Sequence, residues 1–194
     1  MQNDGLTVFD FDGTLIRVNS FFETTKRFVS MLAKRGRLGS LIRIGFLYAM
    51  RKCRIISHLV FKKRVTELFE GTLSEREKRY LCQSVFDENL NDLVHKEFVD
   101  SENCLVSTAA PFSYISRIAF GRQVPVICSL HPDPHLPDKG NFGDGKVTNL
   151  KAYLQVDNLR IHTLFTDSLS DDAALIDISE RVFLVDQGQV ERAK

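Results

Sequence analysis

The sequence predicts an α/β fold in which a parallel sheet is interrupted, just behind its first strand, by a spliced-in module of helices. Three observations carry that expectation. Residues 6–10 form a short apolar run of strand length. From about 18 to 98 the apolar positions fall at helical spacing, and from 104 onward short apolar runs alternate with helical segments. Such alternation reads as βαβ units, which place helices on the faces of a parallel sheet. The expected division is a core of residues 1–17 and 99–194 carrying a helical cap of residues 18–98.

Taken in order, "TVFDFDGTLI" (7–16) starts as a buried strand and ends in Asp10, Phe11, Asp12, Gly13 and Thr14. Helical spacing then runs through Phe21, Phe22, Phe28, Val29 and Leu32, through Leu41, Ile44, Leu47 and Tyr48, and through Leu59, Val60, Val65, Leu68 and Phe69. "GTLSEREKRYL" opens a further helix, with Ser74 as its cap and Glu77 three residues on, a capping box. Strands are predicted at 104–108, 124–130, 161–167 and 181–186, and helices near 112–120, 146–155 and 171–179. "HPDPHLPDKGNFGDG" (131–145) is the long Pro/Gly/Asp-rich loop.

At 194 residues, 43% hydrophobic and 26% charged, the chain suits one soluble domain with a large insertion. Cys53, Cys82, Cys104 and Cys128 are widely spaced and are expected to be reduced thiols. "MQNDG" lacks the basic-then-apolar layout of a secretory signal. The most apolar helical stretch, 38–50, is too short to span a bilayer and contains Arg43. The expected location is cytoplasmic.

The net charge of +1 conceals an asymmetry: residues 17–64 hold 13 Lys or Arg against the single acid Glu23, so this segment is +12 and the remainder −11. A solvated helix face is the bland explanation. An electropositive roof attracting a phosphorylated substrate is one functional reading. Another is a membrane-surface face, because leucines and aromatics in 38–50 lie beside Arg35, Arg37, Arg43, Arg51, Lys52 and Arg54. Nucleic-acid binding ranks lower, since no recognised module accompanies the charge.

Asp10 and Asp12 at the end of a strand repel one another unless a cation or a fixed proton intervenes. Ligands of an open parallel sheet bind outside the carboxyl ends of its strands. Ser107 and Thr108 follow the second predicted strand, and Asp167, Ser168, Asp171 and Asp172 follow the fourth. Lys146, behind Gly143 and Gly145, opens the helix before that strand. These groups converge on one rim, where Asp10 and Asp167 offer hard oxygens to Mg²⁺.

"DFDGT", "LVSTAAP", "GDGK" and "TDSLSD", in that order and spacing, resemble the four motifs of the haloacid dehalogenase superfamily, in particular its phosphoserine-phosphatase-like branch with a helical cap. The resemblance implies a Rossmann-like three-layer core and Mg²⁺-dependent hydrolysis of a phosphomonoester through an aspartyl-phosphate. It implies Asp10 as nucleophile, Asp12 as general acid and base, Ser107 and Thr108 as phosphate ligands, and Lys146 as the neutralising cation. Asp10, Asp12 (through its carbonyl), Asp167 and Asp171 are implied to hold the metal. Two departures stand out: Thr166 where many relatives have glycine, and Thr108 where a small residue is usual. A small phosphorylated metabolite is the expected substrate, and a phosphorylated lipid headgroup the alternative. A non-catalytic phospho-ligand-binding module is the alternative of another class.

Lys151 reads as a solvated helix lysine, Asp172 as a first-turn residue favoured by the helix dipole, and His131, His135, Asp133 and Asp138 as turn formers, not a zinc site.

Overall fold

The computed structural model describes residues 5–186 and 188–194. Its sheet contains β1 (Thr7–Phe9), β2 (Cys104–Pro111), β3 (Val126–Ser129), β4 (Ile161–Thr166), β5 (Ser179–Asp186) and β6 (Gln189–Arg192) in the order β3-β2-β1-β4-β5-β6. The first five strands pair in parallel, and β6 returns antiparallel to β5. β1 is central, with Phe9 in register with Val106 on one side and Phe165 on the other.

Strand alternation sorts the core into two layers. Val8, Leu105, Leu164 and Val182 face α7 (Asp144–Leu154) and α8 (Ala173–Asp177), where they meet Leu150 and Leu175. Phe9, Val106 and Phe165 belong to the opposite cluster, filled by Val94 and Phe98 of α5 (Asp92–Asp100). Phe9 stacks on Phe165 at 4.8 Å and meets Phe98 edge-on at 5.3 Å. The result is the expected three-layer arrangement.

Four 15-residue helices, α1 (Ser20–Lys34), α2 (Leu38–Lys52), α3 (His58–Thr72) and α4 (Glu75–Asn89), form the inserted module. Phe21, Phe28, Leu32, Phe61, Val65, Phe69 and Leu81 make their own buried cluster, into which Tyr114 of α6 (Phe112–Ile115) projects from the core. The capping box forms as the sequence predicts: the N–H of Ser74 donates to Glu77 Oε2 at 2.8 Å. The two chain crossings between module and core are tied to each other, Ile16 bridging Leu90 and the N–H of Arg17 donating to Asn89 at 2.9 Å. Asn91, fully buried, donates to the carbonyls of Leu15 and Thr14. α5 follows directly, so the last nine helical residues before β2 pack on the sheet.

Two expected helices are shorter than their periodicity suggests, α6 ending at Ile115 and α8 running only from Ala173 to Asp177. β6 was not predicted: "QVER" has one apolar residue and lies on the sheet edge, where burial imposes no alternation. All four cysteines are free thiols, only Cys53 exposed. No helix among the described residues is long and apolar enough to cross a membrane.

Phe98→Ala should lower the unfolding free energy by about 3–5 kcal/mol, measured by urea denaturation, because its ring fills the layer between α5 and β1. A loss below about 1 kcal/mol would contradict that packing.

Candidate active site

A cavity of about 570 Å³ opens at the carboxyl ends of the strands, lined by Asp10, Asp12, Thr108, Ala109, Lys146, Asp167, Ser168, Asp171 and Asp172 from the core, and by Asn19, His58, Leu59 and Lys62 from the inserted module or its entrance. Asp10 leaves the end of β1 with its N–H bonded to Phe165 of β4 at 2.9 Å, which fixes the first residue past the strand.

Lys146 occupies the first turn of α7 and is buried. Its ammonium lies 2.8 Å from Asp10 Oδ1 and 2.7 Å from Asp172 Oδ1. Burial disfavours its charge, but the two carboxylates outweigh burial and raise its pKa above the ordinary lysine range. Burial also raises the Asp10 carboxyl to about 7, with Lys146 pulling the other way. Asp172, read from the sequence as a helix-dipole residue, is instead buried within this triad, its Oδ2 accepting from the Thr166 hydroxyl at 2.7 Å. Thr166 thus has a task that glycine lacks at that position. Lys151 is half-buried on α7 and takes no part.

Asp12 is held differently. Its Oδ1 accepts from the N–H of Ser20, the first residue of α1, at 2.8 Å. Burial pushes its pKa up, and the Ser20 donation opposes that rise. The entrance to the inserted module therefore orients this carboxylate.

Gly13 has φ +76°, and a Cβ built there would stand 2.1 Å from Asp167 Oδ2. Only a residue without Cβ admits both that backbone and the close approach of the Asp167 carboxylate. Asp171 lies on the same cavity, exposed, and accepts from the Ser170 hydroxyl at 3.5 Å. Among the described residues no group of three or more His, Cys, Asp or Glu side chains is gathered to hold a metal unaided, and the 131–138 loop is turn structure, with the N–H of His135 donating to Asp133.

The two adjacent β2 hydroxyl residues, Ser107 and Thr108, are both fully buried, and Thr108 lies on the cavity lining. Ser107 is fully buried, its Oγ accepting from Asn141 Nδ2 at 3.4 Å. Thr108 accepts from the Ala110 N–H at 3.1 Å. Asn141 Nδ2 also donates to the carbonyls of Thr108 and Ile127 at 2.8 and 3.0 Å, and its Oδ1 accepts from Asn149. This pair of buried asparagines stitches the 131–143 loop to the ends of β2 and β3. At Gly145 a Cβ would fall 1.4 Å from Asp138 Oδ2, so the loop and the start of α7 fit together only with glycine there.

Lys62 of α3 is a second cation in the cavity, 7% exposed, donating to the Ala109 carbonyl at 2.8 Å and forming no ion pair among the described residues. Burial lowers its pKa, and Asp12 opposes that. Its sequence signal was hidden in the run Lys62-Lys63-Arg64, where nothing distinguishes a buried lysine from solvated neighbours.

The description of the haloacid dehalogenase-like hydrolases matches residues 7–175. The chain belongs to this family. No curated protein matches it. Among solved structures, it is similar to a protein of unknown function from Bordetella pertussis Tohama I, with TM-score 0.62 and 21% identity over 91% of this chain and 87% of that one. It is also similar to a phosphoserine phosphohydrolase-like protein from Francisella tularensis subsp. tularensis SCHU S4, with TM-score 0.53 and 13% identity over 92% of this chain and 85% of that one. At these identities the likeness is one of fold. The family makes the chain a hydrolase.

Gly13→Ala should cost about 1–3 kcal/mol of stability in chemical denaturation, from the positive φ and the contact with Asp167. In an Asp167→Ala background the penalty should shrink, since the two residues are coupled; strictly additive penalties would contradict the contact.

Proposed function

We propose that this hydrolase cleaves phosphomonoesters with Asp10 as nucleophile, Asp12 as proton carrier and Mg²⁺ as cofactor, acting on a small phosphorylated metabolite. The observation that carries the reading is the Lys146 ammonium shared by Asp10 and Asp172 on the floor of the cavity. A carboxylate hydrogen-bonded to a buried lysine is oriented for attack on phosphorus, and the lysine opposes the loss of charge that burial favours.

In the first step an Asp10 oxygen bonds to phosphorus and the bond to the leaving alkoxide breaks, with Asp12 donating the proton that turns the alkoxide into an alcohol. In the second, Asp12 takes a proton from water, whose oxygen attacks phosphorus as the acyl-phosphate bond to Asp10 breaks. Asp12 suits both duties because burial favours its protonated form while the Ser20 N–H keeps the ionised form accessible. Lys146 offsets charge on Asp10 and on the phosphoryl oxygens, and Ser107 and Thr108 donate their hydroxyls to the phosphoryl group. The branch resemblance and the likeness to the phosphoserine phosphohydrolase-like protein support a phosphate ester as the substrate class.

The donor set fits Mg²⁺, which takes one or two carboxylates and fills its remaining positions with water and substrate oxygens. Asp10 and Asp167 supply carboxylates and Asp12 its carbonyl, with Asp171 on the same wall; the bare Gly13 is what lets Asp167 come up against the Asp12–Gly13 turn. When bound, the ion neutralises charge between the nucleophile and the phosphoryl oxygens.

With a generic aryl phosphate, phosphate release should require Mg²⁺, and Asp10→Asn should lower kcat by at least about a thousandfold. Metal-independent release, or an Asp10→Asn variant with unchanged kcat, would overturn the reading. Thr108→Val and Ser107→Ala should each lower kcat/KM by about ten- to a hundredfold, because each removes a hydroxyl proposed to donate to the phosphoryl group. An unchanged kcat/KM in either variant would remove that residue as a phosphate ligand.

A further inference from the structure

We propose that the outward face of α2 is a docking surface for an anionic lipid bilayer. α2 has one buried residue, Ile44. Leu38, Ile42 and Phe46 are 67%, 72% and 63% exposed, although each is large and apolar. At 3.6 residues per turn, these three and Ala49 fall within an arc of about 80°, on the side opposite Ile44. The usual amphipathic arrangement is thus doubled: one stripe packs on α1 and α3, and a second apolar ridge faces outward. Contiguous exposed apolar surface on a soluble chain marks an interaction site.

The flanks of the ridge select its partner. Arg43 and Lys52 border it on either side, and Arg37 and Arg54 stand just beyond the helix ends. None of these four forms an ion pair among the described residues, whereas Arg35 pairs with Glu77 and Arg64 with Glu67. No acidic residue occurs from 24 to 66. A second copy of the same face would set cation against cation, which opposes association. A bilayer bearing anionic headgroups satisfies both features: acyl boundary for Leu38, Ile42 and Phe46, headgroup charge for the flanking cations. Ile55, 67% exposed just past the helix, extends the apolar surface towards α3, whose first residues His58, Leu59 and Lys62 line the catalytic cavity. The docking itself does not depend on the reaction proposed above.

The test is co-sedimentation of the full chain with vesicles of phosphatidylcholine alone and of phosphatidylcholine mixed equally with phosphatidylglycerol. Binding is expected to the mixed vesicles, at least about tenfold weaker to phosphatidylcholine alone, and weakened by raised salt. Ile42→Ser with Phe46→Ser, and separately Arg43→Gln with Lys52→Gln, should each lower the partition by about tenfold while far-UV circular dichroism stays unchanged. Equal binding to both vesicle types, no binding to either, or double variants that sediment like the parent would overturn the proposal. Light scattering that shows a dimer dissociated by the Ile42→Ser/Phe46→Ser pair, without vesicle binding, would assign the face to a second copy instead.

Discussion

One buried ammonium organises the cavity end of the sheet. Lys146 reaches from the first turn of α7 to Asp10 at the end of β1 and to Asp172 at the start of α8, so three separate parts of the chain meet on a single charge. Burying such ions is expensive, and a well-packed apolar trio of similar volume would often be at least as stable. The arrangement is therefore understood through the chemistry proposed for it: the lysine holds the Asp10 carboxyl in place and opposes the rise that burial imposes on its pKa. Everything around it serves that end, from the Thr166 hydroxyl holding Asp172 to the Asn141–Asn149 pair pinning the loop that leads into α7.

The inserted helices are joined to this centre by more than covalent continuity. The N-terminus of α1 donates to Asp12, the two crossings pair with each other, and Lys62 enters the cavity from α3. A carboxylate at a helix N-terminus is favoured by unsatisfied N–H groups and the helix dipole. Here the same interaction ties the entrance of the module to the proposed proton carrier, so a shift of α1 would be felt at Asp12.

Much of this was legible in the sequence because it follows from local rules. The strand running into Asp10, the Ser74–Glu77 capping box, the helical period of 18–98 and the parallel strands behind it each depend on near neighbours. What escaped the sequence depends on tertiary partners. Asp172 looks like any acidic helix-start residue until Lys146 is seen against it, and Asp171 beside it is exposed. Ser107 and Thr108 are chemically alike, and their burial side by side in β2 is a property of the fold. Lys62 is hidden in a basic run, Asn141 in a turn-rich loop, and β6 in a polar edge. The outward ridge of α2 was read as amphipathic from composition, but the side carrying the apolar residues became visible only once Ile44 was seen to be the buried one.

The account stands or falls on what happens to Asp10 during turnover. The most direct measurement is acid quenching of the protein after brief mixing with a phosphate ester and Mg²⁺, followed by peptide mass spectrometry. A phosphoryl group on the peptide containing Asp10, absent in Asp10→Asn, is the predicted result. Sustained turnover with the label on no residue, or on a residue other than Asp10, would contradict it.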